Sequence, residues 1–157
     1  MAANWPRRVP NQKYDLLIHP NAEDNTYSLI EDSRGIIQGI SGAFAMSSIL
    51  IRIILTTPGS GGDPEEGSSI ALMAGSLYDS RRLKPDVLRE IQRVERYYKR
   101  LQARHGAGSL DETLQSIEVL SVQLIGQEIL KIRLLIRSAA DSIVRAELSV
   151  AGGSEYL

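Results

Sequence analysis

The pattern of hydrophobic and polar positions predicts a buried helix in the first half of the chain. Residues 43–55 are almost wholly apolar, with Arg52 as their only charge and Ser41 as the expected N-cap. The run stops at Thr56-Thr57-Pro58-Gly59, and a loop rich in glycine and acidic residues leads to a second short apolar stretch at 70–77. We therefore expect an element buried on nearly all sides, followed by a flexible surface loop.

A second, amphipathic helix is predicted over residues 84–104. Pro85 suits its first turn, and His105-Gly106 is a stop signal. Glu95 and Lys99 have the spacing of an ion pair within a helix. The apolar residues recur at spacings of three and four: Val87, Leu88, Ile91, Val94, Tyr98 and Leu101. Basic side chains fall mainly on the opposite face, so one face of this helix is expected to pack on a core.

In the last third of the chain the period changes to two, which predicts antiparallel strands at 117–124, 130–137 and 143–150. The middle strand separates its side chains into an apolar set and a basic set: Leu130, Ile132, Leu134 and Ile136 against Lys131, Arg133 and Arg137. The last strand does the same: Val144, Ala146, Leu148 and Val150 against Ile143, Arg145, Glu147 and Ser149. The middle and last strands are therefore expected to be half-buried.

Two shorter strands are predicted near the start of the chain, at 14–18 and 26–31, with His19-Pro20-Asn21 and an acidic turn between them. The order of elements indicates an α+β fold, in which an antiparallel sheet with a C-terminal run of three strands packs against two or three helices. The expected organisation is an extended arm at 1–13, a single α+β domain at 14–150 and a flexible tail at 151–157.

The composition narrows the classes of partner. A chain of 157 residues with 43% hydrophobic and 24% charged residues is typical of one soluble globular domain. A formal net charge of −1 gives no global reason to expect nucleic acid or an anionic membrane as a partner. The absence of cysteine excludes disulfides and thiol chemistry. The apolar run at 43–55 is too short to span a bilayer.

The sequence contains no motif that argues for catalysis, a metal or a cofactor. The loop at 58–67 lacks the Gly-Lys-Ser/Thr ending of a phosphate-binding loop, and its acidic residues would repel phosphate. His19 and His105 are isolated from other ligand types. A cell-wall glycan hydrolase stays open as an alternative, because such an enzyme needs two carboxylates and several acids lie in loops: Glu23, Asp24, Asp63, Glu65, Glu66, Asp111 and Glu112.

Protein binding is the better-supported class. A strand close to the end of the chain offers a sheet edge for strand addition, which makes Ile143, Arg145, Glu147 and Ser149 candidate contact residues. Trp5 is a further candidate, because its arm has the length to wrap around a neighbouring protein. A cytosolic adaptor is the third hypothesis that this pattern leaves open.

The order of the segments also resembles that of a known protein family. Leu55-Thr56-Thr57-Pro58-Gly59 ends an apolar helix, Gly67-Ser68 follows a loop, and Ile70-Ala71-Leu72 begins a short apolar stretch. A charged amphipathic helix and a run of antiparallel strands come next. This order resembles the small baseplate-wedge proteins of contractile phage tails, which include the sheath initiator once described as lysozyme-like and relatives in type VI secretion baseplates.

The resemblance implies a structural role in the virion, in a tail baseplate assembled in the host cytoplasm. Such a protein joins the wedge to the tail sheath and templates the first sheath ring by strand addition. The implied partners are other wedge proteins and the sheath protein, with hub or tube-side proteins as further candidates and neither nucleic acid nor membrane. The family often ends its second helix in glutamate-proline-arginine, which contacts the wedge core. Glu95-Arg96 is the counterpart here, without the proline, so the helix is expected to continue to Leu101.

Overall fold

The computed structural model describes residues 14–16, 18–21, 26–29, 39–74, 79–106, 108–126 and 128–151. Along the chain they form four short strands, three helices, a short 3-10 helix and three longer strands. The predicted α+β fold is confirmed: three helices pack with an antiparallel sheet formed by the last three strands.

The C-terminal sheet is an antiparallel meander in the order β5-β6-β7. Its strands are β5 (Leu114–Ile125), β6 (Ile129–Ser138) and β7 (Ile143–Ala151). The predicted alternation holds in the central strand, whose apolar face is completely buried: Leu130, Ile132, Leu134 and Ile136. The other face carries the basic side chains Lys131, Arg133 and Arg137 beside the partly exposed Ile129 and Leu135, so the helices cover one side of the sheet only.

Three helices supply the other half of the core. They are α1 (Gly42–Leu55), α2 (Ile70–Met73) and α3 (Ser80–His105). Their buried side chains form a single cluster with those of the sheet, and the largest of them include Met46, Leu50, Ile54, Ile70, Val87, Ile91 and Val94. Burial of this one contiguous cluster is the main force that holds helices and sheet together.

Helix α3 begins one turn earlier than its apolar pattern predicts. Asp79 is the N-cap, and its side chain accepts a hydrogen bond from the N–H of Arg81 at 2.9 Å. Pro85 therefore lies in the second turn, and its expected place in the first turn is wrong. The stop signal is confirmed, because Gly106 follows the helix with φ of 77° and donates its N–H to the Gln102 carbonyl at 2.8 Å.

The described N-terminal strands differ from the two that the sequence pattern predicts. β1 (Tyr14–Leu16) pairs with β4 (Gly39–Ser41), which the sequence pattern missed. β2 (Ile18–Asn21) forms a hairpin with β3 (Thr26–Leu29), so His19-Pro20-Asn21 lies in a strand and does not separate two strands.

The predicted arm at 1–13 lies outside the described residues, and so does the tail from 152 onward. Ala151, which was assigned to the tail, is the last residue of β7.

Candidate protein-binding surface

The last strand presents a sheet edge that no described strand occupies. β7 pairs with β6 on one side, and the described residues place no strand on its other side. The N–H of Ser138 donates to the carbonyl of Ser142 at 2.9 Å, so this pair is bonded within the hairpin. Bonded pairs alternate along an antiparallel ladder with pairs whose N–H and C=O groups point away. The outward-pointing backbone groups of β7 therefore belong to Ile143, Arg145, Glu147, Ser149 and Ala151.

The side chains of these same residues lie together on the outer face of the sheet. All of them are exposed, and Ile143 leaves 49% of its surface accessible. Val144 and Leu148 point to the other face and are buried in the core. The structure thus brings four of the sequence candidates, from Ile143 to Ser149, into one row beside a row of outward backbone groups.

Glu147 is the electrostatic centre of this row. Its carboxylate accepts hydrogen bonds from Lys131 Nζ and Arg133 Nε, each at 2.8 Å. The hydrogen bond from Lys131, followed by that from Arg133, lowers the pKa of Glu147 below its ordinary value of 4.5. Arg145 lies two residues away on the same face and is exposed, and none of the described ion pairs includes it.

The opposite edge of the sheet is covered by α3. Oε2 of Glu95 accepts a hydrogen bond from the N–H of Ile117 at 3.1 Å, and Oε1 of Gln102 accepts one from the N–H of Leu114 at 2.9 Å. The Gln102 side chain also donates to the carbonyl of Glu112 at 2.7 Å. Two side chains on one face of a helix therefore occupy backbone groups that a further strand would need.

The remaining half of the β5 edge is interrupted by a bulge. The pairing register between β5 and β6 shifts between Val119 and Ser121. Bulges bend and twist a strand locally, which makes its edge a poor template for another strand. In contrast, β7 keeps an unbroken register with β6 from Ala151 to Ile143.

The other sequence candidates do not join the β7 row. Glu95 faces β5 and pairs with Lys99 at 2.7 Å, so the predicted ion pair is confirmed. Its carboxylate therefore bonds within the chain, and the partner contact expected at Glu95 stays a prediction. Arg96 is exposed on α3 and is not part of β7. Trp5 lies outside the described residues.

The acidic loop that follows α1 lies against α3. The hydroxyl of Tyr97 donates to Asp63 at 3.1 Å, Arg100 pairs with Glu65 at 3.3 Å, and Arg93 donates to the Gly67 carbonyl at 2.8 Å. These contacts differ from the predicted flexible loop, because each acid that they use is paired within the chain. Burial of the phenol and its hydrogen bond to Asp63 raise the pKa of Tyr97 to about 12.

The Gly67-Ser68 pair closes the C-terminal end of α1. Ser68 is completely buried, its hydroxyl donates to the Ile54 carbonyl, and its N–H donates to the Thr56 carbonyl at 2.8 Å. Gly67 has φ of +107°, and a Cβ there would lie far inside van der Waals contact with the Thr56 carbonyl oxygen. The glycine is required because the returning loop passes directly against the helix end.

Several organising residues were missed by the sequence analysis. Gln102 and Asp111 carry no local signal, because each bonds residues far away in the chain: Asp111 accepts from the N–H of Ala43 at 3.3 Å and from the Ser138 hydroxyl at 3.2 Å. It therefore accepts from the first turn of α1, where Ser41 was the expected cap. The Arg133–Glu147 pair, by contrast, follows from the register that the short hairpin loop imposes.

The described residues offer little for other chemistry. They contain no group of three or more histidine, aspartate or glutamate side chains arranged to hold a metal ion. Among the helices that the structure describes, none combines the length and the apolar character needed to cross a membrane.

Comparison with known proteins does not extend this picture. No protein-family model matches the chain, and no curated protein shows significant similarity to it.

Proposed function

We propose that this protein is a non-enzymatic structural component of a contractile-tail baseplate. In this role it joins the wedge to the tail sheath and templates the first sheath ring by accepting an extended strand at β7. Its partners are other wedge proteins and the sheath protein, and its place is the virion tail after assembly in the host cytoplasm.

The open edge of β7 is the observation that carries the proposal. Strand addition requires a row of outward N–H and C=O groups on a strand with regular register, and β7 offers both over nine residues. The outer-face side chains at Ile143, Arg145, Glu147 and Ser149 then contact the side chains of the incoming strand. The core beneath β7 holds this edge in place through Val144 and Leu148.

The resemblance to baseplate-wedge proteins supplies the biological setting. The residues that carry the resemblance have structural tasks in this fold, because Gly67-Ser68 closes the end of α1 and Ile70 lies completely buried in the core. The wedge contact that the resemblance implies is proposed for Glu95-Arg96, where Arg96 is exposed and Glu95 also bonds β5.

The alternation along β7 allows a precise test. Arg145 and Ser149 point their N–H groups outward, so proline at both positions removes two donors from the edge without removing a bond to β6. We expect baseplates that carry the R145P/S149P variant to assemble but to remain without sheath in electron micrographs. The R145A/S149A variant keeps the donors and serves as the matched control.

Two outcomes would contradict the proposal at different levels. Normal sheath on baseplates carrying the folded R145P/S149P variant would contradict strand addition at β7. Failure of the unmodified protein to cofractionate with purified tails or baseplates would contradict the baseplate role. If another protein then bound the β7 edge, the adaptor hypothesis would be favoured.

A further inference from the structure

The outer face of β7 carries opposite charges at neighbouring outward positions. One core-facing residue, Ala146, separates Arg145 from Glu147. Their side chains therefore lie on the same face of the sheet, and their outward backbone groups lie along the same edge. An edge strand with this arrangement is self-complementary, because an antiparallel copy reverses the order of the two charges. This property does not depend on any role in a tail.

The register of such a pairing is selected by charge. When two β7 strands pair antiparallel about Ala146, Arg145 of each copy lies opposite Glu147 of the other. A shift to a pairing centred on Arg145 places two arginines opposite each other, and a shift centred on Glu147 places two glutamates opposite each other. Opposite charges in directly facing positions stabilise an antiparallel pair, and like charges destabilise it. One central register is therefore favoured over both of its neighbours.

Both faces of the combined sheet fit this register. On the outer face, the sign of charge alternates from Arg133 to Glu147 to Arg145 of the second copy, which extends the existing pair at 2.8 Å. On the core face, Ala146 meets Ala146 at the two-fold axis, and Val144 lies opposite Leu148. The small side chain at the axis leaves room for close approach of the two backbones. The result is one continuous six-stranded antiparallel sheet.

We propose that the protein forms a symmetric dimer through β7, with Arg145 and Glu147 as reciprocal contacts between two copies of the chain. The dimer buries the same edge that an incoming strand would use, so a strand partner and a second copy compete for it. Pairing of two edges also protects the protein from uncontrolled edge-to-edge aggregation before a partner is present.

Charge reversal in the full-length chain tests this dimer, with sedimentation velocity over a dilution series as the readout. R145E places two glutamates of one copy against two of the other, and E147R places arginines against arginines. We expect the dissociation constant of each variant's homodimer to be about tenfold higher than that of the unmodified protein, or higher still. An equimolar mixture of R145E and E147R restores opposite charges at both contacts, and we expect it to form a heterodimer more tightly than either variant pairs with itself.

The controls separate the register from net charge and folding. R82E changes the net charge by the same amount as R145E but lies exposed on α3, and we expect unchanged dimerisation. Circular dichroism establishes that each variant is folded. A monomeric unmodified protein at millimolar concentration would overturn the proposal. So would dimerisation that R145E and E147R leave unchanged, or a mixture that stays as weak as its components.

Discussion

The two edges of the C-terminal sheet differ in how their outward backbone groups are used. On β5, the carboxylate of Glu95 and the amide of Gln102 occupy backbone groups between Glu112 and Ile117, and a bulge interrupts the rest. On β7, the register is unbroken and no described strand covers the outward groups. Among the residues that the structure describes, an edge that favours aggregation in solution is closed on one side of the sheet and left open on the other.

The difference indicates that the exposure of β7 is not a consequence of sheet size. The same chain provides a helix whose polar side chains close one edge, so a three-stranded sheet can be protected within this fold. The open edge therefore marks the place where another chain is expected to complete the sheet, and the proposals above rest on this contrast.

The largest effect is expected from proline substitutions at two adjacent positions of β7. A146P removes a bond to β6 and leaves the Leu134 carbonyl without its donor, so we expect the free energy of unfolding to fall by ~2 kcal/mol or more. R145P removes only an outward donor, and we expect a loss below ~1 kcal/mol. Urea denaturation of both variants measures the difference. Equal losses would show that the assigned alternation is wrong.

Removing the side chain that covers the β5 edge is expected to lower the free energy of unfolding by no more than A146P does. Q102A removes the bonds to Leu114 and Glu112, and leaves the N–H of Leu114 and the carbonyl of Glu112 without this partner, so we expect a loss of ~1–3 kcal/mol in urea denaturation. Q92A, at an exposed position of α3, is the matched control with an expected change within ~0.5 kcal/mol. Similar values for both variants would contradict a closing role for Gln102.

Alkaline pH is expected to weaken the contact between α3 and the acidic loop through Tyr97. Its pKa is raised from 10.0 to about 12, so the neutral phenol is favoured by the folded state. The resulting stability is fully present below pH 10 and is lost as the pH rises toward about 12. We expect the urea midpoint of the unmodified protein to fall more steeply over this range than that of Y97F. Parallel curves would exclude the phenol as the cause.

Acid pH is expected to have the smallest effect on stability, and this effect acts through Glu147 on β7. The pKa of Glu147 is lowered, so its contribution is present above the ordinary value of 4.5 and is lost as the pH falls through the lowered pKa. We expect the difference in urea midpoint between the unmodified protein and E147Q to shrink between about pH 7 and about pH 3. A constant difference would show that Glu147 acts through packing and not through its charge.

The sequence predicted those features that depend on local periodicity. The alternation in β6 separates Leu130 to Ile136 from the basic residues, because successive side chains of a strand point to opposite faces. The apolar run at 43–55 predicted α1 to within one residue. The start of α3 was missed because Ser80, Arg81 and Arg82 are polar and exposed, and the buried Leu83 is a single apolar residue in the turn that Asp79 caps.

The contrast between the two edges was only half predictable. A C-terminal strand suggested an open edge, and the hairpin loop determines the register that places Arg133 beside Glu147. The closure of β5 depends on Glu95 and Gln102, which read as ordinary polar residues of an amphipathic helix. Their partners are backbone N–H groups of another element, and sequence periodicity carries no information about such tertiary contacts.

Amide hydrogen exchange at single-residue resolution tests the contrast most directly, in solution dilute enough for the protein to be monomeric. The account predicts slow exchange for Leu114 and Ile117 on the covered edge and for Val144, Ala146 and Leu148, which bond β6. It predicts fast exchange for Arg145, Glu147 and Ser149, whose N–H groups point outward from β7. Protection of these three amides equal to that of their neighbours in the monomer would contradict the open edge, and with it both proposals.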